Sequence, residues 1–272
     1  MPDKCSYMLN NLDKKIELLR RRFRDIESAV IAFSGGIDSG VLVEVAHQEL
    51  GDRMVAATAL SPSHPSSDRE LIINYSNDRS IPQRFIESKE FHDPIFLSNP
   101  DDRCYHCKKY LYTGMIELAN ELNFKYVIEG TNLSDLGGHR PGYRASKEQE
   151  RVKTPLIECE FTKDDVRALG RHLDLPMAEK PAAACLASRI PTGEGITPEI
   201  LQRIDSAEDI LRAMSIGQVR VRHHKDLARI EVDASEMILC MEKRDEIYAK
   251  LIDLGWKYVT LDIVGYRTGG GR

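Results

Sequence analysis

Ser34-Gly35-Gly36-Ile37-Asp38-Ser39 follows the apolar run Ala29-Val30-Ile31-Ala32-Phe33. It precedes a segment, Asp38 to Leu50, in which Val41, Leu42, Val45 and Ala46 recur at helical spacing. The order is strand, loop, helix. Two glycines let the backbone approach an oxyanion with no Cβ in the way, several N–H groups converge there, and the positive end of the following helix faces the charge. Ser34 and Ser39 add hydroxyl donors. Asp38 would repel a bare phosphate, so its presence implies a hard cation, Mg²⁺, bridging it to phosphate oxygens. No GxxxxGK[ST] stretch exists, which excludes the kinase-type and GTPase-type cradle.

Outward from this loop the pattern repeats. An amphipathic helix through Leu9, Leu12, Ile16, Leu19, Phe23 and Ile26 precedes it. Met54 to Leu60 reads as a strand, Asp68 to Asn77 as a helix, Gln83 to Ile86 as a strand, Lys108 to Leu122 as a helix and Tyr126 to Glu129 as a strand. Helices alternating with short apolar strands predict an α/β fold with a doubly wound parallel sheet, whose ligands bind outside the carboxyl ends of the strands. From Thr197 the order changes to a helix reaching Met214, strands over Gln218 to His223 and Ala228 to Val232, a helix from Lys243 to Leu254, and a strand from Lys257 to Ile263. That αββαβ order predicts a smaller α+β domain. Pro176, Pro181, Pro191, Gly193, Gly195 and Pro198 make a loop-rich junction, so the expected division is 1–190 and 191–272.

With 42% apolar and 30% charged residues over 272 positions, the chain can bury one large core or two smaller ones, and disorder is excluded. No apolar run approaches the ~20 residues of a membrane-spanning helix, and the N-terminus lacks a secretory pattern, so a cytoplasmic protein is expected. Thirty-eight basic against 43 acidic side chains give a net charge of −5. That balance lacks the positive field that drives non-specific nucleic-acid binding, so neither nucleic acid nor membrane is an expected partner.

Six cysteines, at 5, 104, 107, 159, 185 and 240, are too sparse and uneven for a disulfide scaffold. Cys159 and Cys240 lie among apolar residues and read as core thiols. Arg103-Cys104-Tyr105-His106-Cys107-Lys108 instead places two thiols where a loop feeds a helix, beside cations that favour thiolates. A zinc ribbon would need a second paired motif, and a redox pair a thioredoxin-like context. Cys185, in Cys185-Leu186-Ala187-Ser188-Arg189, supplies a third thiol, and three thiolates can hold a cubane cluster with one iron open to an exogenous sulfide. Arg220 and Arg222 alternate with Val219 and Val221, so on a strand both guanidinium groups point to one face and form an anion clamp suited to phosphate. Glu208 and Glu231 complete that clamp, orienting the arginines or holding metal.

The Ser34–Ser39 loop matches the SGGxDS motif of the ATP-pyrophosphatase superfamily, whose members cleave ATP to AMP and pyrophosphate while adenylating a substrate. By analogy with that superfamily, Ala56 to Ser61, including Ala59 and Ser61, faces adenosine, and Gly130-Thr131-Asn132-Leu133-Ser134-Asp135 is a second active-site loop in which Gly130, Thr131 and Asp135 bind nucleotide. Adding RCYHCK, CLASRIPTGE, Val219 to His224, Leu227 to Glu231 and the ending Lys257 to Asp262 with Gly265-Tyr266-Arg267, most of the chain resembles the LarE family of ATP-dependent sulfur transferases.

The resemblance implies that a carboxylate of pyridinium-3,5-biscarboxylate mononucleotide is adenylated and becomes a thiocarboxylate, in the making of a nickel-pincer cofactor. It assigns the Arg220 and Arg222 pair to the substrate's phosphate. Two sulfur sources occur in the family. In one, the cysteine matching Cys185 gives up its own sulfur; in the other, cysteines matching Cys104, Cys107 and Cys185 hold a [4Fe-4S] cluster carrying a transferable sulfide. All three are present, so the cluster mode is expected, with ATP, Mg²⁺, the small-molecule substrate, a sulfide donor and further copies of the chain as partners. A cluster-dependent tRNA thiolase and an ammonia-using synthetase share the loop and are the alternatives.

Overall fold

The computed structural model describes residues 4–137, 141–180 and 184–267, with the side chains of 4–10 left aside. Its first compact unit comprises residues 1–61, 68–92 and 102–183, and its second 62–67, 93–101 and 184–272. The amphipathic start forms α1 (Lys4–Ile26), followed by β1 (Ala29–Ala32), α2 (Ile37–Leu50), β2 (Met54–Leu60), α3 (Ser66–Asp78), β3 (Gln83–Glu87), the single turn α4 (Pro94–Leu97), α5 (Arg103–Glu121) and β4 (Tyr126–Ile128). Then come α6 (Pro141–Lys147), β5 (Val152–Lys153), the turn α7 (Pro155–Glu158) and α8 (Lys163–His172). The five strands lie in the order β3-β2-β1-β4-β5, and every pairing is parallel.

Both faces of this sheet are covered, as a parallel sheet requires. On one face Ala29 and Ile31 of β1 join Leu19, Phe23 and Ile26 of α1, Val41, Leu42 and Val45 of α2, and Val166 and Leu169 of α8. On the other, Val30, Val55 and Val127 pack with Tyr112, Met115 and Leu118 of α5. The alternation along β1 is the period-2 pattern of a strand, with apolar residues on both faces because both are inside.

The second unit contains α9 (Pro198–Ala213), β6 (Val219–His224), β7 (Leu227–Val232), α10 (Met237–Glu242), α11 (Arg244–Asp253) and β8 (Tyr258–Leu261). β6 and β7 are antiparallel, joined through Lys225 in the left-handed region, and β8 runs parallel to β7. Leu201, Ile204 and Leu211 of α9 are buried where the helix packs on β6.

One sequence expectation shifts. α5 begins at Arg103, so Cys104 and Cys107 sit within its first turns and not in a feeding loop. Polar residues fill that turn and hide the helix start from an apolar-periodicity reading. β6 is buried along its first five residues, Arg220 and Arg222 included. Part of the Pro-rich junction, residues 181–183, lies outside the described residues, as does the Cys5 side chain. Cys159 and Cys240 are buried as expected, and burial pushes the Cys159 thiol up to about 11.

Phe23→Ala removes a fully buried ring from the cluster that seats α1 on α2. Denaturant titration should show a loss of about 3–5 kcal/mol, against a loss within ~0.5 kcal/mol for a substitution at exposed Arg21.

Candidate functional site

The Ser34–Ser39 loop leaves the carboxyl end of β1, and Gly130 follows the carboxyl end of β4 next to it. β2 lies on the other side of β1, so this is the point where the strand order reverses, the crevice in which doubly wound sheets bind ligands. Gly35 has a φ of +73°, and a Cβ there would stand 3.3 Å from the Asp68 carbonyl oxygen and from Ile72 Cγ1. Ser39 Oγ donates to the Gly36 carbonyl at 2.9 Å, accepts from the Ser34 N–H at 3.2 Å, and lies 3.2 Å from Ser34 Oγ. These bonds curl the loop around the first turn of α2. A Cβ on Gly130 would approach the Ser39 nitrogen at 3.2 Å and Asp38 Cβ at 3.3 Å, so the second loop lies directly against the first.

Both Asp38 oxygens are engaged. Asn132 Nδ2 donates to Oδ1 at 2.9 Å, and Lys163 Nζ meets Oδ2 at 2.5 Å. Asp135 accepts from the Asn132 N–H at 3.2 Å and so closes its own turn, and Thr131, just before it, is half-buried. Ala59 is half-buried on β2 opposite Ile86, and Ser61 just beyond the strand donates to the fully buried Glu90 at 2.6 Å. Lys180 pairs with the buried Asp68, the residue whose carbonyl faces Gly35.

Asn132 falls within a loop that the sequence marks, but Lys163, Lys180, Asp68 and Glu90 escape a reading of the sequence. A signal for Lys163 does exist: Thr162-Lys163-Asp164-Asp165 is a capping box, with Thr162 Oγ1 and the Asp165 carboxylate exchanging bonds with each other's backbone N–H. A cation at the first helical position opposes the helix dipole, which marks it as placed for something other than the helix.

Cys104 is exposed and Cys107 half-buried. Three residues apart on α5, they share one face of the helix. α6 packs on this turn, and a Cβ on Gly142 would stand 3.2 Å from Lys108 Cγ and 3.9 Å from Cys104 Cβ. Arg144 of α6 stacks on the Tyr105 ring at 3.9 Å and reaches Asp102 at 3.5 Å.

In the second unit Cys185 is exposed and leads into a 3₁₀ turn, Leu186–Arg189. The fully buried Glu208 organises what lies beneath. Arg189 binds it through Nε at 2.9 Å and Nη2 at 3.0 Å, Arg212 through Nη2 at 2.8 Å, and the Val221 N–H donates at 3.1 Å. Burial alone would raise the Glu208 carboxyl, but the Arg189, Arg220 and Arg212 charges and the Arg189 bond outweigh it and hold the group below its ordinary value. Arg189 Nη1 donates to the carbonyls of Ala184 at 2.6 Å and Cys185 at 3.1 Å. Arg222 donates to the Ser188 carbonyl at 2.9 Å and to Glu231 at 2.8 Å, and Glu231 also takes Arg229 at 3.1 Å. The Arg220 guanidinium lies over the Tyr266 ring at 5.4 Å, and burial together with the Arg189 charge lowers its pKa.

Among the described residues no group of three or more His, Cys, Asp or Glu side chains is gathered closely enough to hold a metal ion, and none of their helices is long and apolar enough to cross a membrane.

These features define an α/β protein with a tightly curled Gly-Gly loop at the switch point of a parallel sheet. No known family profile matches the chain. It is 39% identical over 95% of its length to the Synechocystis protein slr1717, covering 97% of that protein. It is 31% identical over 90% of its length to the pyridinium-3,5-bisthiocarboxylic acid mononucleotide synthase of Lactiplantibacillus plantarum, covering 89% of that enzyme. A further relative is one of the polypeptides of the glutamine-hydrolysing GMP synthase of Archaeoglobus fulgidus, 30% identical over 74% of the chain and 69% of that polypeptide. The chain belongs to the family of the pyridinium-3,5-bisthiocarboxylic acid mononucleotide synthase, LarE.

Glu208→Gln leaves the buried Arg189, with the half-buried Arg212 beside it, against a neutral amide and should cost about 3–5 kcal/mol at neutral pH. Because the folded carboxyl titrates below its ordinary value of 4.5, its contribution is complete above that pH and is lost as the pH falls through the folded value. The gap between wild type and variant, read by denaturant titration, should therefore close on acidification below pH 4.5 and stay constant above it.

Proposed function

We propose that this protein is an ATP-dependent sulfur transferase that adenylates a carboxylate of pyridinium-3,5-biscarboxylic acid mononucleotide and converts it to a thiocarboxylate. The observation that carries the reading is the loop Ser34–Ser39, closed on Gly130 at the sheet's switch point in a chain of this family. The loop's N–H groups and the start of α2 bind the nucleotide's phosphates. Ala59 and Ser61 border the adenosine, and Gly130, Thr131 and Asp135 form the second wall. The substrate carboxylate attacks the α-phosphorus and pyrophosphate leaves. Sulfur then attacks the acyl carbon, and AMP leaves with both electrons of the C–O bond. Adenylation is needed because a carboxylate is a poor electrophile with no good leaving group, whereas AMP departs with its charge held by donors already in position.

Asp38 is the carboxylate suited to Mg²⁺, which supplies charge neutralisation for the departing pyrophosphate. Arg220 and Arg222 hold the substrate's phosphate, anchored by Glu208 and Glu231. The three thiols Cys104, Cys107 and Cys185 are the soft donor set that suits a [4Fe-4S] cluster, which would supply sulfide. A second reading, in which Cys185 alone is consumed, is favoured by one observation: Cys185 is exposed at the head of its own turn, whose backbone Arg189 pins from below.

Anaerobic incubation with ATP and the pyridinium substrate should release AMP and pyrophosphate only when that substrate is present, with oxygen replaced by sulfur in the product. Release that needs ammonia in place of a sulfur source would make the protein a synthetase like its GMP-synthase relatives, and release dependent on added tRNA would make it a tRNA thiolase. Arg222→Ala should weaken substrate binding by about 2 kcal/mol and leave ATP binding nearly unchanged. The intact mass of the chain after turnover separates the sulfur sources. Loss of the elements of hydrogen sulfide at Cys185 identifies the consumed cysteine, and an unchanged mass with several products per chain identifies the cluster, a reading in which Cys104→Ala stops turnover.

A further inference from the structure

Three buried polar atoms on one face of the second unit's sheet have no hydrogen-bond partner among the described residues: Arg222 Nε, His224 Nε2 and Arg229 Nε. Side chains alternate along β6, so Arg220, Arg222 and His224 share a face, and Arg229 of β7 stands directly opposite Arg222. A pair so placed has its Cβ atoms about 4.5–5.5 Å apart. The outer ends of both guanidiniums are occupied. Arg222 donates to the Ser188 carbonyl at 2.9 Å and to Glu231 at 2.8 Å, and Arg229 meets Glu231 at 3.1 Å and Asp262 at 3.0 Å. Those bonds fix the two groups and leave their Nε edges unused. An arginine Nε–H can only donate, so what each edge lacks is an acceptor, and a buried donor without one is a destabilising feature that a bound anion would relieve.

Charge on this face sets what the anion can be. Arg220, Arg222 and Arg229 stand against the carboxylates of Glu231 and Asp262, which leaves one positive charge unmatched, while Glu208 has Arg189 and Arg212 of its own. A carboxylate carries that single charge, whereas a phosphate dianion carries two. Burial, with the Arg229 and Arg222 charges, outweighs Glu194 and Glu231 and holds the His224 imidazole below its ordinary pKa, so the ring is neutral at pH 7 and offers one N–H. Access is open. Arg229 keeps 30% of its side chain exposed and His224 is half-buried, so the three atoms do not lie in a sealed core. We propose that Arg229, His224 and the Nε edge of Arg222 form a carboxylate-binding subsite beside the phosphate clamp, with Arg222 shared between the two. Its occupant is a ring carboxylate of the pyridinium substrate. Only one of the two ring carboxylates reacts at a time, and the subsite holds the other, which fixes the ring and keeps the reacting group off the arginines. The inference rests on the reading of this face as the substrate site.

Two probes that each carry half of the substrate test it on the whole protein by calorimetry: pyridine-3,5-dicarboxylate, which has the ring acids and no phosphate, and ribose 5-phosphate, which has the phosphate and no ring. Arg229→Lys keeps the charge beside Glu231 and Asp262 but removes the Nε–H, and it should weaken the dicarboxylate about tenfold while leaving ribose 5-phosphate within twofold. His224→Phe keeps a ring of similar shape without its nitrogens and should weaken the dicarboxylate several-fold, again with ribose 5-phosphate unchanged. Since His224 Nε2 has no bond to lose in the folded chain, this second variant serves if the lysine variant folds poorly. Unchanged dicarboxylate binding in both variants would mean that the three atoms meet only water. Weakening of ribose 5-phosphate in place of the dicarboxylate would give them to the phosphate, and equal weakening of both probes would make them supports of the sheet. Any of these results overturns the subsite. A wild-type protein that binds ribose 5-phosphate but not the dicarboxylate overturns it alone, whereas one that binds neither probe ends the reading of this face as the substrate site as well.

Discussion

The parallel pairing of β1 with β2 on one side and β4 on the other is the constraint from which the arrangement around the Ser34–Ser39 loop follows. Ala29 to Ala32 pair with Met54 to Ala57, and Ala29 to Ile31 with Tyr126 to Ile128, so the carboxyl ends of both neighbouring strands reach the same edge. A parallel strand must cross over before it pairs again, which sends α2 to one face and α5 to the other and leaves a crevice above β1. Everything that reads as nucleotide chemistry then comes from segments leaving that edge: the Ser34–Ser39 loop after β1, Ser61 after β2, and Gly130 to Asp135 after β4. Gly35 and Gly130 are small for the same reason, since at each a Cβ would crowd a second backbone at 3.2–3.3 Å.

The second unit is organised by a carboxylate instead of a sheet edge. Glu208 is fully buried and receives four donors, from Arg189, Arg212 and the backbone of Val221. A buried carboxylate is tolerable only when so surrounded. The consequence reaches the surface through Arg189, whose remaining donors hold the carbonyls of Ala184 and Cys185, and through Arg222, which holds that of Ser188. The exposed Cys185 thiol thus sits on a turn pinned from below at both ends. The arginines that sequence alternation marks as an anion clamp are also structural members, since Arg222 shares Glu231 with Arg229 and Arg229 reaches Asp262.

Legibility in the sequence follows how local each signal is. The loop between β1 and α2 is readable because Gly-Gly, Asp and two serines between an apolar run and a helical period have one economical explanation. β2, β6, β7 and α11 are legible within a residue or two because their apolar patterns are complete. β5 is two residues long, and α6 and α8 carry few apolar positions, so periodicity has too little to count there. The partners of the site residues are hidden for a different reason. Lys163 lies 125 positions from Asp38, and Lys180 lies 112 from Asp68; only the parallel crossovers bring them together. Burial on both faces of β6 is equally out of reach, because alternation of Arg with Val looks the same whether the basic face meets water or Glu208 and Glu231.

The two acidic centres differ in exposure, and that difference decides what each can do. Asp38 keeps about a quarter of its side chain in solvent and its partner Lys163 a third, and a pair so placed is worth on the order of 0–1 kcal/mol. Glu208 shows no exposed surface and its partner Arg189 1%, where removing one member strands a charge and costs about 3–5 kcal/mol. The first pair can therefore part without stranding a charge, while the second must keep its partners throughout. A lysine in the half-exposed pair and an arginine in the buried one fit those surroundings: a compact, strongly hydrated point charge on a flexible stem suits a site in contact with water, and a planar fork that binds both carboxylate oxygens is suited to one fixed geometry.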